Sequence, residues 1–246
     1  MKPAEWTKPD FGIDAPAVLR NLLAIGAALI VLGFLLPQWL HLGRVYLDVR
    51  PSLVGAGVVF FVQGLLMLLY VKVGKFRHRD FMLGMHAWRG DEAVLDVGCG
   101  RGLLLAGAAK RLTKGGRATG IDVWSNEDMA GNSEAATLRN LELEGVADRC
   151  ELVSAPAQVM RFPDASFDVV VSNLCLHNIY DPLPRAAAVE QIVRVLKSGG
   201  VALISDYKLT DEYAKAMAAA GLTVEKKRGS FLTTFPPLQV VIARKP

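Results

Sequence analysis

Two long apolar runs occupy the first third of the chain, and nothing after them is comparable. Leu22 to Leu36 is unbroken and reaches about twenty residues if Val18-Leu19 or Gln38-Trp39-Leu40 is included. Leu53 to Val71 is a second run of about nineteen residues, interrupted only by Gln63. Both approach the roughly twenty residues needed to cross a bilayer core, so spans are predicted at about 18–40 and 53–72. Beyond residue 72 the pattern changes to short apolar runs separated by helical segments, near Ala93–Val97, Ala118–Val123, Cys150–Ser154, Val169–Asn173 and Val201–Asp206. That alternation predicts an α/β fold with a doubly wound, Rossmann-like parallel sheet. A helix is expected over Leu103–Leu112 and another over Glu212–Ala220, the latter ended by Gly221. Thr223–Lys227 and Leu238–Arg244 read as the last two strands. The expected organisation is a two-helix membrane hairpin over 1–75, a juxtamembrane linker helix over 76–90 with Met82, Leu83, Met85 and Trp88 on its apolar side, and a catalytic domain over 91–246.

Composition sharpens the membrane reading. The chain has 246 residues, 52% of them apolar, and its mean hydropathy of +0.29 is high for a soluble enzyme. A cleavable signal peptide fits poorly, because a long charged leader precedes the first run and Pro37-Gln38-Trp39 offers no small-residue cleavage site. Basic residues flank the runs at Lys2, Lys8 and Arg20 before the first and at Lys72, Lys75, Arg77 and Arg79 after the second, against Arg44 and Arg50 between them. Both termini are therefore expected in the cytoplasm, with a multi-pass protein in the cytoplasmic (inner) membrane. Small residues on the spans (Gly26, Gly33, Gly55 and Gly57) allow close helix packing, within the hairpin or in a homodimer. Cys99, Cys150 and Cys175 have no metal-ligand spacing and suit a reducing compartment, so no metal is expected. The net charge of +4 needs no nucleic acid, since the basic cluster after the second run can face anionic headgroups.

The candidate chemistry begins at Val94-Leu95-Asp96-Val97-Gly98-Cys99-Gly100-Arg101-Gly102. This reads as a buried strand, a tight glycine loop and a helix start, the arrangement in which open α/β sheets bind nucleotides. Asp96, two residues before the first glycine, would repel a pyrophosphate and favour the cationic sulfonium and ammonium of S-adenosylmethionine (SAM). The loop is also GxGxG and not GxGxxG. About twenty residues on, Gly120-Ile121-Asp122 looks like a second strand ending in a carboxylate able to hold both ribose hydroxyls. SAM is the expected cofactor, ahead of NAD.

These segments resemble the class I SAM-dependent methyltransferases, from about Arg89 to the C-terminus. Val94 to Gly102 is similar to their first motif and Gly120 to Asp122 to their second. Phe162 to Asn173 resembles the lead into their fourth strand, and Val195 to Ile204 the helix, turn and fifth strand. Leu176-His177-Asn178 reads most like the quinone-biosynthesis and other small-molecule members. The resemblance implies strand order 3-2-1-4-5-7-6, the last two strands forming an antiparallel pair. It implies cofactor contacts at Asp96, Gly98, Cys99, Gly100, Gly102, Asp122, Val123, Ala157 and Asn173. One position departs: Pro156 stands where many relatives carry the acid that holds the adenine amino group, leaving backbone groups, Gln158 or apolar stacking for that task.

Methyl transfer from a sulfonium needs chiefly alignment and exclusion of water. A general base is needed only where the acceptor must lose a proton, and His177 is the best-placed candidate. A histidine that merely caps the turn into the next helix is the alternative. Asn173 and Tyr207, also at strand ends, are candidates to orient the acceptor. No NPPY-like motif and no basic, aromatic-laced face is present, so a nucleic-acid substrate is not expected. The matching core is compact, with no inserted cap. The expectation is therefore a membrane-anchored methyltransferase acting on a small, lipid-soluble acceptor covered by the apolar linker helix and the loop of Phe231, Leu232 and Phe235. A membrane-tethered protein methyltransferase and a non-catalytic SAM-binding module are the alternatives.

Overall fold

A computed structural model describes residues 7–43, 45–125, 129, 131–230 and 234–246. Lys2, Arg44, Phe231 and Leu232, and with them part of the expected acceptor loop, lie outside the described residues.

The first apolar run forms helix α1 (Pro16–Leu35), with proline in its first turn, where no intrahelical N–H is missed. A short antiparallel hairpin follows, β1 (Trp39–Leu42) and β2 (Val45–Asp48), and connects the two helices. The second run forms α2 (Arg50–Leu69). Arg50 thus opens a helix, and its Nε donates to Gly33 O at 3.2 Å. The two helices meet through glycines. A Cβ on Gly26 would lie 2.6 Å from Phe61 N, and one on Gly57 would lie 2.8 Å from Gly26 O. Gly33 fits against Val54 and Gly64 against Leu23, whereas Gly55 faces open space. Backbones this close gain dispersion contacts that side chains would block. Most other side chains on the pair, such as Ile25, Leu32, Phe34, Val59, Val62 and Leu66, are exposed. Only 17% of each helix's apolar window is buried.

Helix α2 does not end at a linker. One wide turn, Tyr70–Gly74, carries it directly into α3 (Lys75–Leu83), giving a continuous helix from Arg50 to Leu83. The expected free apolar side of the linker helix is committed to the core. Met82 and Leu83 are fully buried with Leu104 and Leu105, and Gly107 lets the Leu83 side chain approach. Lys75 is likewise buried and so leaves the expected headgroup cluster.

The remaining elements are β3 (Ala93–Val97), α4 (Leu103–Ala109), β4 (Arg117–Asp122), α5 (Glu134–Leu143), β5 (Cys150–Ser154), β6 (Phe167–Asn173), α6 (Pro182–Val195), β7 (Leu196–Asp206), α7 (Thr210–Ala219), β8 (Thr223–Arg228) and β9 (Gln239–Arg244). Seven strands form one sheet in the order β5-β4-β3-β6-β7-β9-β8. The first five are parallel, and β9 runs antiparallel to both β7 and β8. Counted from the glycine-loop strand, this is the expected 3-2-1-4-5-7-6. One face of the sheet packs on α3 and α4, the other on Ile192 of α6 and on Tyr213 and Met217 of α7. Within the sheet domain, two boundaries differ from expectation by three residues or more. Strand β7 begins at Leu196, not Val201, because Gly199 and Gly200 pair with the backbone of Lys245. Helix α4 stops at Ala109, where Arg111 and Leu112 donate to carbonyls three residues back and tighten the last turn.

Candidate cofactor and acceptor site

The parallel strands β3, β4, β6 and β7 all deliver their C-terminal ends to one edge, where open α/β sheets keep their ligands. Asp96 stands near the end of β3, Asp122 ends β4, Asn173 ends β6 and Asp206 ends β7.

The glycine loop is shaped by backbone requirements. Gly98, Gly100 and Gly102 all have positive φ (71°, 51° and 82°), a region costly for residues with a Cβ. At Gly98 a Cβ would also overlap the Cys175 side chain. The loop amides are used internally. Gly98 and Cys99 donate to Ile121 O at 2.8 and 3.0 Å, Gly100 to Asp122 Oδ2 at 2.8 Å, and Gly102 to Cys99 O at 2.8 Å. These four N–H groups therefore do not form the open donor row that cradles a pyrophosphate. The carbonyl side of the loop is pinned by α5, where Thr137 Oγ1 donates to Gly100 O (2.7 Å) and Asn140 Nδ2 to Arg101 O (2.9 Å). Both side chains are fully buried. Sequence reasoning missed them; the signal available was two polar residues on the apolar face of a helix.

The cavity beside this loop is lined by charges of both signs, Asp14 and Asp96 with Lys75, Arg79 and Arg101. Its lining includes Asp14, Tyr70, Lys75, Asp96, Gly98, Cys99, Gly100 and Asn173. Asp96 is 1% exposed, and its Oδ2 has no hydrogen-bond partner. Burial, reinforced by the Asp122 charge, pushes its carboxyl up to about 8. An orphaned buried carboxylate oxygen fits a cationic ligand and would repel a phosphate, which agrees with SAM and against a dinucleotide. Cys99 borders the cavity, but its thiol is turned onto β4, where a Cβ on Gly120 would lie 2.8 Å from its Sγ. Burial pushes that thiol up as well.

On the far side of the loop, Asp122 accepts from Gly100 N and from Trp124 N (2.7 Å). Trp124, at positive φ, donates its indole N–H to Ser154 Oγ at 2.7 Å, and Ser154 donates to Glu134 at 3.2 Å. Val123 is 63% exposed beside this chain, and Ala157 is buried. Around Pro156 the backbone carbonyl accepts from Val159 N.

Further along the edge, His177 Nδ1 lies 2.9 Å from the Asp206 carboxylate. Asp206 is fully buried and also accepts from Tyr207 N (2.8 Å) and from the Tyr213 hydroxyl (3.4 Å). The Tyr207 ring meets the His177 ring edge-on, with centroids 4.8 Å apart. His177, Asp206 and Tyr207 thus form one cluster, while Asn173 belongs to the cavity lining with Asp96. Between them the α2–α3 helix intrudes. Tyr70 and Val71 pack on Leu174, Phe235 and Leu238, and His78 Nε2 lies 2.7 Å from Ser205 Oγ. Sequence reasoning gave Tyr70 and His78 no part in the site, since both belong by position to the membrane-proximal stretch.

Comparison with known proteins agrees with this geometry. Residues 95–204 match the family model described as "Methyltransferase domain". The sterol 4-C-methyltransferase strm-1 of Caenorhabditis elegans is 35% identical over 122 residues, 49% of this chain and 33% of that protein. The ubiquinone/menaquinone biosynthesis C-methyltransferase UbiE of Escherichia coli O1:K1 / APEC is 29% identical over 156 residues, 63% of this chain and 59% of that protein. The chain therefore spans from a third to about three-fifths of the length of these relatives. The Burkholderia thailandensis 1,6-didemethyltoxoflavin-N1-methyltransferase, solved with its substrate and S-adenosylhomocysteine, superposes with a TM-score of 0.51 at 25% identity, covering 69% of this chain and 77% of that one. Residues 95–204 thus match a methyltransferase domain, set in a sheet with the strand order expected of the class I SAM-dependent fold.

Proposed function

We propose that this chain is a membrane-anchored methyltransferase that passes the SAM methyl group to a small, lipid-soluble acceptor. The carrying observation is the continuous α2–α3 helix. It joins a largely exposed apolar helix pair to the wall of the candidate site without a flexible break. Helices of 20 residues span about 30 Å, the thickness of a bilayer core, and water is a poor solvent for their exposed Leu, Val and Phe side chains. Exposed Lys72 and Arg77 follow the second helix, Lys8 precedes the first and Arg20 sits near its N-terminal end, which favours cytoplasmic termini in an inner membrane. The sterol and quinone named for the two relatives are apolar ring systems of the kind such a site would meet at a membrane surface.

SAM, when bound, supplies an electrophilic methyl group on a sulfonium. The residues of the chain bind, orient and exclude water. Asp96 would offset the positive charge, and Gly98, Gly100 and Gly102 let the backbone approach. Asp122 would take the ribose hydroxyls, while Val123 and Ala157 would flank the adenine. Asn173 and Tyr207 would orient the acceptor. For an acceptor that must lose a proton, His177 would take it at Nε2, with Asp206 holding Nδ1–H and stabilising the imidazolium. Tyr70, Val71, Leu174 and Phe235 give the acceptor side its apolar wall.

The test uses SAM carrying a labelled methyl group, incubated with the full-length protein in host membranes, with Asp122→Ala as the control. Label in the organic extract that vanishes in the variant supports the proposal. Label confined to protein makes the chain a tethered protein methyltransferase. Retained SAM binding with no transfer to lipid or protein overturns the enzymatic reading in that membrane.

A further inference from the structure

The N-terminal segment does not merely lead into the hairpin. Asp10 N and O bond both ends of the Asn140 amide, at 2.9 and 2.8 Å, so the segment is tied to the same side chain that holds the glycine loop. Phe11 is 5% exposed and joins the core with Leu104. Lys75 Nζ reaches from α3 to donate to Phe11 O at 2.9 Å and Gly12 O at 2.6 Å, and lies 3.8 Å from Asp14 Oδ2. The segment is thus strapped across the cofactor cavity between the catalytic domain and the membrane-proximal helix.

Among the described residues, three acceptor atoms lining that cavity are buried without a hydrogen-bond partner: Asp14 Oδ2, Asp96 Oδ2 and Asn173 Oδ1. Buried orphan acceptors converging on one space call for a ligand rich in N–H donors or positive charge. One ammonium has three protons to give. Arg79 and Arg101 also line the cavity but are paired with Asp80 and Asp10. That leaves, among the described residues lining the cavity, two carboxylates, Asp14 and Asp96, facing one cation, Lys75. The sulfonium, ammonium and carboxylate of SAM carry the complementary excess, two positive charges against one negative.

We propose that the amino-acid end of SAM is clamped between the two halves of the chain, its ammonium by Asp14, Asp96 and Asn173 and its carboxylate by the remaining proton of Lys75. Asp14 and Lys75 both lie outside the residues that match the methyltransferase domain. Cofactor retention would then depend on the strap and the α2–α3 helix being seated, which couples SAM binding to the hairpin. This rests on the SAM reading of the site.

The test is calorimetric binding to the full-length protein in detergent micelles, with three ligands: SAM, decarboxylated SAM and 5′-methylthioadenosine, which lacks the amino-acid end. A charge-assisted hydrogen bond corresponds to roughly tenfold or more in affinity. The wild type should bind SAM at least about tenfold more tightly than either truncated ligand, by that same measure. Lys75→Met should weaken SAM by a larger factor than decarboxylated SAM, which loses only what the loosened strap of Asp14 contributes. Asp14→Asn should weaken both SAM and decarboxylated SAM and leave 5′-methylthioadenosine unchanged. Equal wild-type affinity for all three ligands overturns the clamp, even if neither variant folds. Equal weakening of all three by either variant overturns it as well. Binding of none of them by the wild type overturns the SAM reading itself.

Discussion

His177 Nδ1 sits 2.9 Å from Asp206, a carboxylate with no exposure that three further donors also hold. The carboxylate fixes the ring so that Nδ1 carries the hydrogen and Nε2 is the atom left to accept a proton. A turn-capping histidine would need no such partner.

For an acceptor that loses a proton, His177→Ala should lower the turnover of methyl transfer by about 10²- to 10⁴-fold. Asp206→Asn should lower it as well, by releasing the ring. SAM affinity should stay unchanged in His177→Ala. Single-turnover rates with labelled SAM, set beside calorimetric affinities, check both. An unchanged rate would leave His177 as a structural residue.

Asp96 gives a pH dependence. Its carboxyl is raised to about 8 in the ligand-free fold, by burial and then by Asp122, from an ordinary value of 3.8. A raised value means that folding favours the protonated form. Its contribution to stability is full below about pH 4 and is lost as pH rises through about 8. A cationic ligand favours the ionised form, so affinity for SAM should rise with pH below 8, by up to about tenfold per unit. Calorimetry between about pH 5.5 and 7.5 should give this slope, and Asp96→Asn should flatten it.

Gly98→Ala should destabilise the domain by about 1–3 kcal/mol, since φ is positive and the new Cβ meets Cys175. Thermal unfolding of the purified protein measures it. Adding Cys175→Gly should restore the part due to the clash and leave the backbone strain.

The helix pair separates two kinds of glycine. Gly26→Ala and Gly57→Ala should each lower the melting temperature in detergent, because the added methyl lands 2.6 to 2.8 Å from backbone atoms of the facing helix. Gly55→Ala points into open space and should be neutral or stabilising by up to about 1 kcal/mol, the helix-propensity difference.

Met82→Ala should cost about 2–5 kcal/mol, as expected for a fully buried side chain whose removal leaves a cavity. Were the α3 segment a free cover on the membrane surface, the same change would cost almost nothing. Denaturant unfolding followed by tryptophan fluorescence distinguishes the two.

Local signals in the sequence determined the sheet, its strands and the glycine loop. Asp96, Gly98, Gly100, Gly102 and Asp122 stand together because one strand–turn–helix and the strand beside it place them, over a spacing that backbone geometry fixes. The apolar lengths of α1 and α2 were legible for the same reason, since each run is continuous. Strand ends shifted by a few residues where the partner was distant, as at Leu196 and Lys245. What the tertiary structure alone decided were contacts between residues far apart in the chain. Asp10 meets Asn140, Lys75 meets Phe11 and Gly12, and His78 meets Ser205. A lysine after an apolar run reads as a headgroup contact. Only the unbroken turn at Tyr70–Gly74, which sets the rotation of α3 about its axis, puts that lysine inside the protein and on the cofactor cavity.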